Sequence, residues 1–181
     1  MARHRPHPQR HLHGRCGCRR LLRPSDPADR PAVSAAIHLA GEADIDGVLA
    51  LVTAFHEEQG FPLDPDRRRA CILPLLTGSP YGSVYLIGPQ RAPIGYVAVT
   101  FTWSVEFGGL DAALDEVYLR PGVRGRGIAG EVLQAICKRL FEAGVMLIDL
   151  EVDRDNAPAR RLYERLGFEA RDTYLIMHRT P

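Results

Sequence analysis

From about Ile37 onward, apolar residues recur at steps of two, three or four, and each change of step marks a new element. Ile37–Ala40 alternates as a short strand before Gly41. Asp44 then opens a helix in which Ile45, Val48, Leu49, Val52 and Phe55 share one face, and Gly60 ends it. A second helix follows Asp64. Val84–Ile87 and Ile94–Thr102 read as antiparallel strands joined through 88–93, and Gly108-Gly109 turns the chain into a further strand, Leu114–Leu119. The most continuous stripe comes next: Ile128, Ala129, Val132, Leu133, Ile136, Cys137, Leu140 and Phe141 predict an amphipathic helix that stops at Gly144. Met146–Val152 predicts a strand, Asn156–Leu166 a helix halted by Gly167, and Thr173–His178 a last strand. The order β-α-α-β-β-β-α-β-α-β predicts a mixed α/β (α+β) sheet.

Residues 1–35 show no such period, and Pro6, Pro8, Pro24, Pro27 and Pro31 interrupt them, so a disordered Arg/His/Pro-rich tail is expected ahead of one domain over 36–181. The tail changes the picture of charge. Residues 1–31 hold eight Arg against two Asp, so the overall +1 leaves the rest of the chain near −5. Such a tail would suit nucleic acid or equally a targeting segment, with nucleic acid held as a minor reading. His11, His13, Cys16 and Cys18 match no familiar finger spacing, and no metal is expected. Cys71 and Cys137 lie in helical patterns where a buried thiol is the ordinary outcome, which suggests a reducing, cytoplasmic setting. No run approaches the ~20 apolar residues that span a bilayer, so no membrane partner is expected.

Candidate chemistry concentrates where Val117–Leu119 passes through Arg120-Pro121-Gly122 into Arg124-Gly125-Arg126-Gly127-Ile128-Ala129 and the long helix. The first turn of a helix carries N–H groups without carbonyl partners, and the aligned peptide dipoles make that end positive. Gly125 and Gly127 remove side chains from the approach. Arg124 and Arg126 add charge-assisted donors for a pyrophosphate. A nicotinamide fingerprint would need a βαβ unit with a distant ribose-binding acid, and a nucleotide-triphosphate loop would need Gly-Lys-Ser/Thr; neither is present.

This junction resembles the signature of the GNAT family of N-acetyltransferases, Q/R-x-x-G-x-G/A, matched by Arg124, Gly127 and Ala129 at the family's position between a strand and a helix. Leu150-Glu151-Val152, Asn156, Ala159, Leu162-Tyr163-Glu164 and Leu166-Gly167-Phe168 resemble the second part of the same pattern, so the likeness covers about 37–179. It implies a mostly antiparallel twisted sheet splayed at its centre, between Leu114–Leu119 and Met146–Val152, with acetyl-coenzyme A in the gap. Val117, Tyr118 and Leu119 would line its arm, and the cradle Arg124, Gly125, Arg126, Gly127, Ile128 and Ala129, with Asn156 and Ala159, would complete the cofactor site.

The same resemblance implies transfer of acetyl directly to an amine. Tyr163 matches the usual general acid for the departing thiolate. Glu116 and Glu151, each among apolar neighbours beside the proposed cleft, are the candidate bases, and water is a third. His56, Glu57 and Glu58 end the first helix and Trp103 and Glu106 lie near the strand turn, the two regions that usually shape the acceptor pocket, with His56, Glu57, Trp103 and Glu106 the expected acceptor contacts. Leu147, Asp149, Glu151 and Asp153 would alternate onto one strand face and favour a cation. A polyamine, an aminoglycoside-like amine, an amino acid or a protein amine all fit. The competing reading is a coenzyme-A-binding sensor without catalysis. Family members often pair as homodimers, but no stretch here specifies an interface.

Overall fold

The computed structural model describes residues 35–61, 63–171, 173 and 175–180. The tail expected over 1–35, with His11, His13, Cys16 and Cys18, lies outside the described residues apart from Ala35. The elements are β1 Ile37–Leu39, α1 Ile45–Gln59, α2 Pro65–Leu76, β2 Gly82–Ile87, β3 Gly95–Ser104, β4 Gly109–Leu119, α3 Ile128–Glu142, β5 Val145–Asp149 and α4 Ala157–Arg165.

The strands form one sheet in chain order, β1 to β5, antiparallel throughout except for the parallel β4–β5 pair. Strand alternation sorts the core into two layers. Tyr96, Ala98 and Tyr118 point to the side covered by Val48, Leu51 and Val52 of α1 and by Ile72 and Leu76 of α2. Val97, Val99, Ala112, Leu114 and Ile148 point to the other, where Val132, Leu133, Ile136 and Leu140 of α3 cover them and Leu162, Tyr163 and Leu166 of α4 pack alongside. Burying each of these larger aliphatic side chains contributes about 1.5–3 kcal/mol. α2 starts where Asp64 Oδ1 accepts the Arg67 N–H at 2.9 Å.

Gly95 of β3 lies opposite Leu119 of β4, and a Cβ there would run into the Tyr118 carbonyl oxygen and the Leu119 side chain. Gly95→Ala is expected to destabilise the protein by about 1–3 kcal/mol through overpacking, measured as a lower denaturant midpoint at unchanged slope.

Three expectations need correction. β5 ends at Asp149 rather than Val152, because its last partner on β4 is Ala113 and the two strands part there. Thr173–His178 forms no strand among the described residues. Leu175, Ile176 and Met177 are 82%, 71% and 88% exposed, and a sequence of good strand formers makes a strand only when an edge pairs with it. Cys71 is exposed and Cys137 half-buried: α2 turns Arg68, Ile72 and Leu76 inward, which leaves Cys71 outside that stripe. Burial pushes the Cys137 thiol up to about 11, so it carries no reactive thiolate.

Candidate active site

Between β4 and α3 the chain passes through Arg124–Ala129, and its backbone shows why glycine stands there. After a single 3-10 turn at Pro121–Val123, Gly125 and Gly127 take φ of 75° and 82°, a left-handed region that L side chains rarely adopt. A Cβ on either would meet nothing within 4 Å, so the space above both is open. Gly127 is the N-cap of α3 and supplies no side-chain cap, leaving the first turn of the helix, Ile128 and Ala129 onward, facing that space. A positive helix end, without a cap and reached through side-chain-free backbone, fits an anionic group such as a pyrophosphate.

The cradle continues into an open strand edge. Arg120 donates its N–H to the Ile94 carbonyl at 2.8 Å, which sets the phase of the β3–β4 ladder. By the alternation of antiparallel bonds, Glu116 and Tyr118 turn their backbone groups to β3, while Val117 and Leu119 turn theirs outward. β5 has already left at Asp149, so among the described residues no strand pairs with that outer side of β4 beyond Ala113. The parting coincides with a β-bulge: Ala98 lies opposite Glu116 and Val99 opposite Leu114, leaving Asp115 as the extra residue. Tyr118 is correspondingly a core residue, its ring 5.9 Å from that of Phe55 and 6.1 Å from that of Tyr96.

Arg124 is engaged within the protein. Its Nε donates to the Leu119 carbonyl at 2.7 Å, and its two terminal nitrogens donate to both carboxylate oxygens of Glu58, each at 2.7 Å. Its guanidinium lies 5.4 Å over the Tyr118 ring. The Arg124 guanidinium holds the Glu58 carboxyl below its ordinary value. Arg124 therefore ties the end of α1 to the rim of the cradle, and Arg126 is exposed.

Glu116 meets His56: Nε2 of the imidazole lies 2.7 Å from Oε1, and the Tyr96 hydroxyl donates to Oε2 at 2.8 Å. Glu57, beside His56 on α1, is exposed. On the α3 side of the sheet Tyr163 is half-buried with its ring edge-on to Phe168 at 5.9 Å. Burial raises its phenol above the ordinary value, which keeps its proton in place as a donor. Asn156 caps α4, its Oδ1 accepting the Ala159 N–H at 3.2 Å.

Where β4 and β5 part, a cavity of about 160 Å³ is lined by Ala113, Leu114, Asp115, Asp149, Leu150 and Glu151. Burial raises the carboxyls of Asp115 and Asp149, with the Glu151 charge adding to both. Glu151 is thus beside the opening, though on the exposed chain after β5 rather than in a strand. Trp103 and Glu106 are elsewhere. Trp103 pairs with Leu110 at the far end of β4, about six residues or roughly 20 Å from Glu116 at ~3.3 Å each, and it is 68% exposed. The structure does not bring those two to the site.

Sequence reasoning missed Tyr96, and it grouped Glu58 with His56 and Glu57 at the acceptor end of α1 rather than with Arg124. Tyr96 could have been found from the alternation of β3 once its partner was known, but the bulge hides which β4 residues share its face. Glu58 carries no signal of that pairing, since an acid at a helix end is usually solvated.

The acetyltransferase (GNAT) family model matches residues 45–168. The L-methionine sulfoximine/L-methionine sulfone acetyltransferase of Pseudomonas aeruginosa is 30% identical over 146 residues, 76% of this chain and 81% of that protein. The mycothiol acetyltransferase of Brachybacterium faecium is 44% identical over 59 residues, 33% of this chain but only 18% of that protein, so the likeness there spans a small part of a longer chain. Among solved structures, an integron cassette protein from the mobile metagenome of Cole Harbour Salt Marsh superposes with a TM-score of 0.70 at 28% identity, over 80% of this chain and 90% of that one. A helix end opened by two glycines, beside a free strand edge and inside a matched family model, leads to one conclusion: this chain belongs to the GNAT acetyltransferase family.

Proposed function

We propose that the chain is an N-acetyltransferase that moves the acetyl group of acetyl-coenzyme A directly to the amine of a small molecule, with a protein amine as the wider alternative. The observation that carries this is the continuity of the uncapped glycine cradle with the outward backbone groups of Val117 and the outward N–H of Leu119, whose carbonyl Arg124 already holds, which offers one path for a pyrophosphate and an extended arm. Gly125, Arg126, Gly127, Ile128 and Ala129 bind the phosphates in this reading. The outward N–H groups of β4 hold the arm and polarise the thioester carbonyl.

Glu116 takes the proton of the attacking amine and Tyr163 supplies one to the departing sulfur. Glu151, Asp149 and Asp115 border the opening of the sheet, which favours an acceptor carrying a cationic group beside the neutral amine that attacks. The relative named for L-methionine sulfoximine and L-methionine sulfone supports placing those two compounds first in any panel of acceptors.

Calorimetric titration with acetyl-coenzyme A, followed by free-thiol release across amino-acid, polyamine and aminoglycoside amines, tests the reading. Saturable binding with amine-dependent thiol release is expected. Binding without release from any amine would favour a sensor, and no binding would overturn the assignment of the cradle.

A further inference from the structure

The Glu116 carboxylate is held from two sides by donors on different elements. His56, in the last turn of α1, is 7% exposed, and Tyr96, in β3, is 0% exposed. The Tyr96 phenol is pushed far above its ordinary value, chiefly by burial and then by the Glu116 charge, so its hydroxyl gives the hydrogen bond and the carboxylate receives it. The imidazole is packed between Phe55 and Phe61, with ring centroids at 5.9 and 6.1 Å. Its Nδ1 is buried without a hydrogen-bond partner among the described residues. A proton on Nδ1 would have no acceptor, whereas a proton on Nε2 points at Glu116 Oε1, so the neutral ring carries its hydrogen on Nε2 and donates it to the carboxylate.

We propose that Tyr96 and His56 are positioning residues for acetyl transfer, fixing the Glu116 carboxylate in the orientation that receives the acceptor's proton. This rests on the reading of the chain as an N-acetyltransferase with Glu116 as its base. A carboxylate accepts about four hydrogen bonds; the two buried donors occupy one direction on each oxygen and stop rotation about the last torsion. The remaining directions are left for substrate. As the amine nitrogen forms its bond to the acetyl carbon, its proton passes to Glu116, the carbon–sulfur bond breaks, and the sulfur takes the Tyr163 proton. Tyr96 and His56 keep their own protons throughout.

The two hydrogen bonds are tested separately. Tyr96→Phe removes only a hydroxyl from a filled core site and is expected to lower kcat about tenfold, while calorimetric affinity for acetyl-coenzyme A stays within about twofold. His56→Gln offers an amide N–H in place of Nε2–H and is expected to keep kcat within about threefold, whereas His56→Leu loses about tenfold. Wild-type kcat in Tyr96→Phe, or a loss in His56→Gln as large as in His56→Leu, would overturn the positioning role. Independently of turnover, a downfield imidazole N–H proton resonance on Nε2 is expected in the wild type and absent in Glu116→Ala, which removes the acceptor. Failure to see it in the wild type would overturn the clamp itself. If the wild type binds acetyl-coenzyme A and releases thiol with no amine, the catalytic reading and the positioning role built on it both fail, and the resonance still decides whether the clamp exists.

Discussion

Gly127→Asp is expected to weaken acetyl-coenzyme A binding at least a hundredfold while leaving the protein folded. Two effects act on the ligand. A side chain enters the open space above a residue whose φ is 82°, and a negative charge sits at the helix end that would otherwise attract phosphate. At a few ångströms, and with an effective dielectric near 20, a like-charge pair costs about 4 kcal/mol. The effects on the protein oppose one another. The left-handed conformation costs a non-glycine residue about 1–2 kcal/mol, but Asp is a favoured N-cap and its charge suits the helix dipole by about 1 kcal/mol. Calorimetry and thermal unfolding on the same sample separate the two. Lost affinity with a melting midpoint within a few degrees of the wild type is the expected pair, and retained affinity would remove the cradle from the cofactor site.

Tyr163→Phe is expected to lower kcat by about a hundredfold, the lower end for loss of a general acid, with acetyl-coenzyme A affinity unchanged. The side chain packs against the α3 layer and Phe168, and phenylalanine preserves that packing. Burial holds the phenol above its ordinary value. Its proton therefore remains available as pH rises through the range where an exposed tyrosine would lose it, and wild-type turnover should decline only above that range. Steady-state kinetics of both proteins from neutral to alkaline pH check this, and equal kcat in the variant would exclude Tyr163 from the proton transfer.

What could be read before the structure was local in sequence. α1 and α3 announce themselves because one helical face is apolar, and the cradle because glycines fall where a strand gives way to a helix. What could not be read depends on partners far along the chain. His56 and Glu116 lie 60 residues apart, Arg124 and Glu58 66, and nothing in either neighbourhood specifies the other. That is why Arg124 was expected on a phosphate and His56 on a substrate. The end of β5 escaped for a related reason: Leu150 and Val152 continue the alternation, but β4 has turned away and no ladder remains for them. Leu175, Ile176 and Met177 likewise have strand chemistry without a strand to join.

The bulge at Asp115 also has a bearing on how β4 can change over generations. Side chains in a strand alternate, so the face a residue takes is a matter of odd or even count from its neighbours. Leu114 faces α3 across from Val99, and Glu116, only two residues on, faces α1 across from Ala98. The supernumerary residue absorbs the odd step. Loss of Asp115 would straighten β4 while leaving every flanking side chain on its present face, whereas loss of one residue between Glu116 and Leu119 would swing Glu116 through the sheet, away from His56 and toward α3. The placement of the carboxylate thus depends on arithmetic as much as on chemistry, and a single-residue deletion would be neutral to facing at Asp115 and ruinous at Val117 or Tyr118, just beyond it.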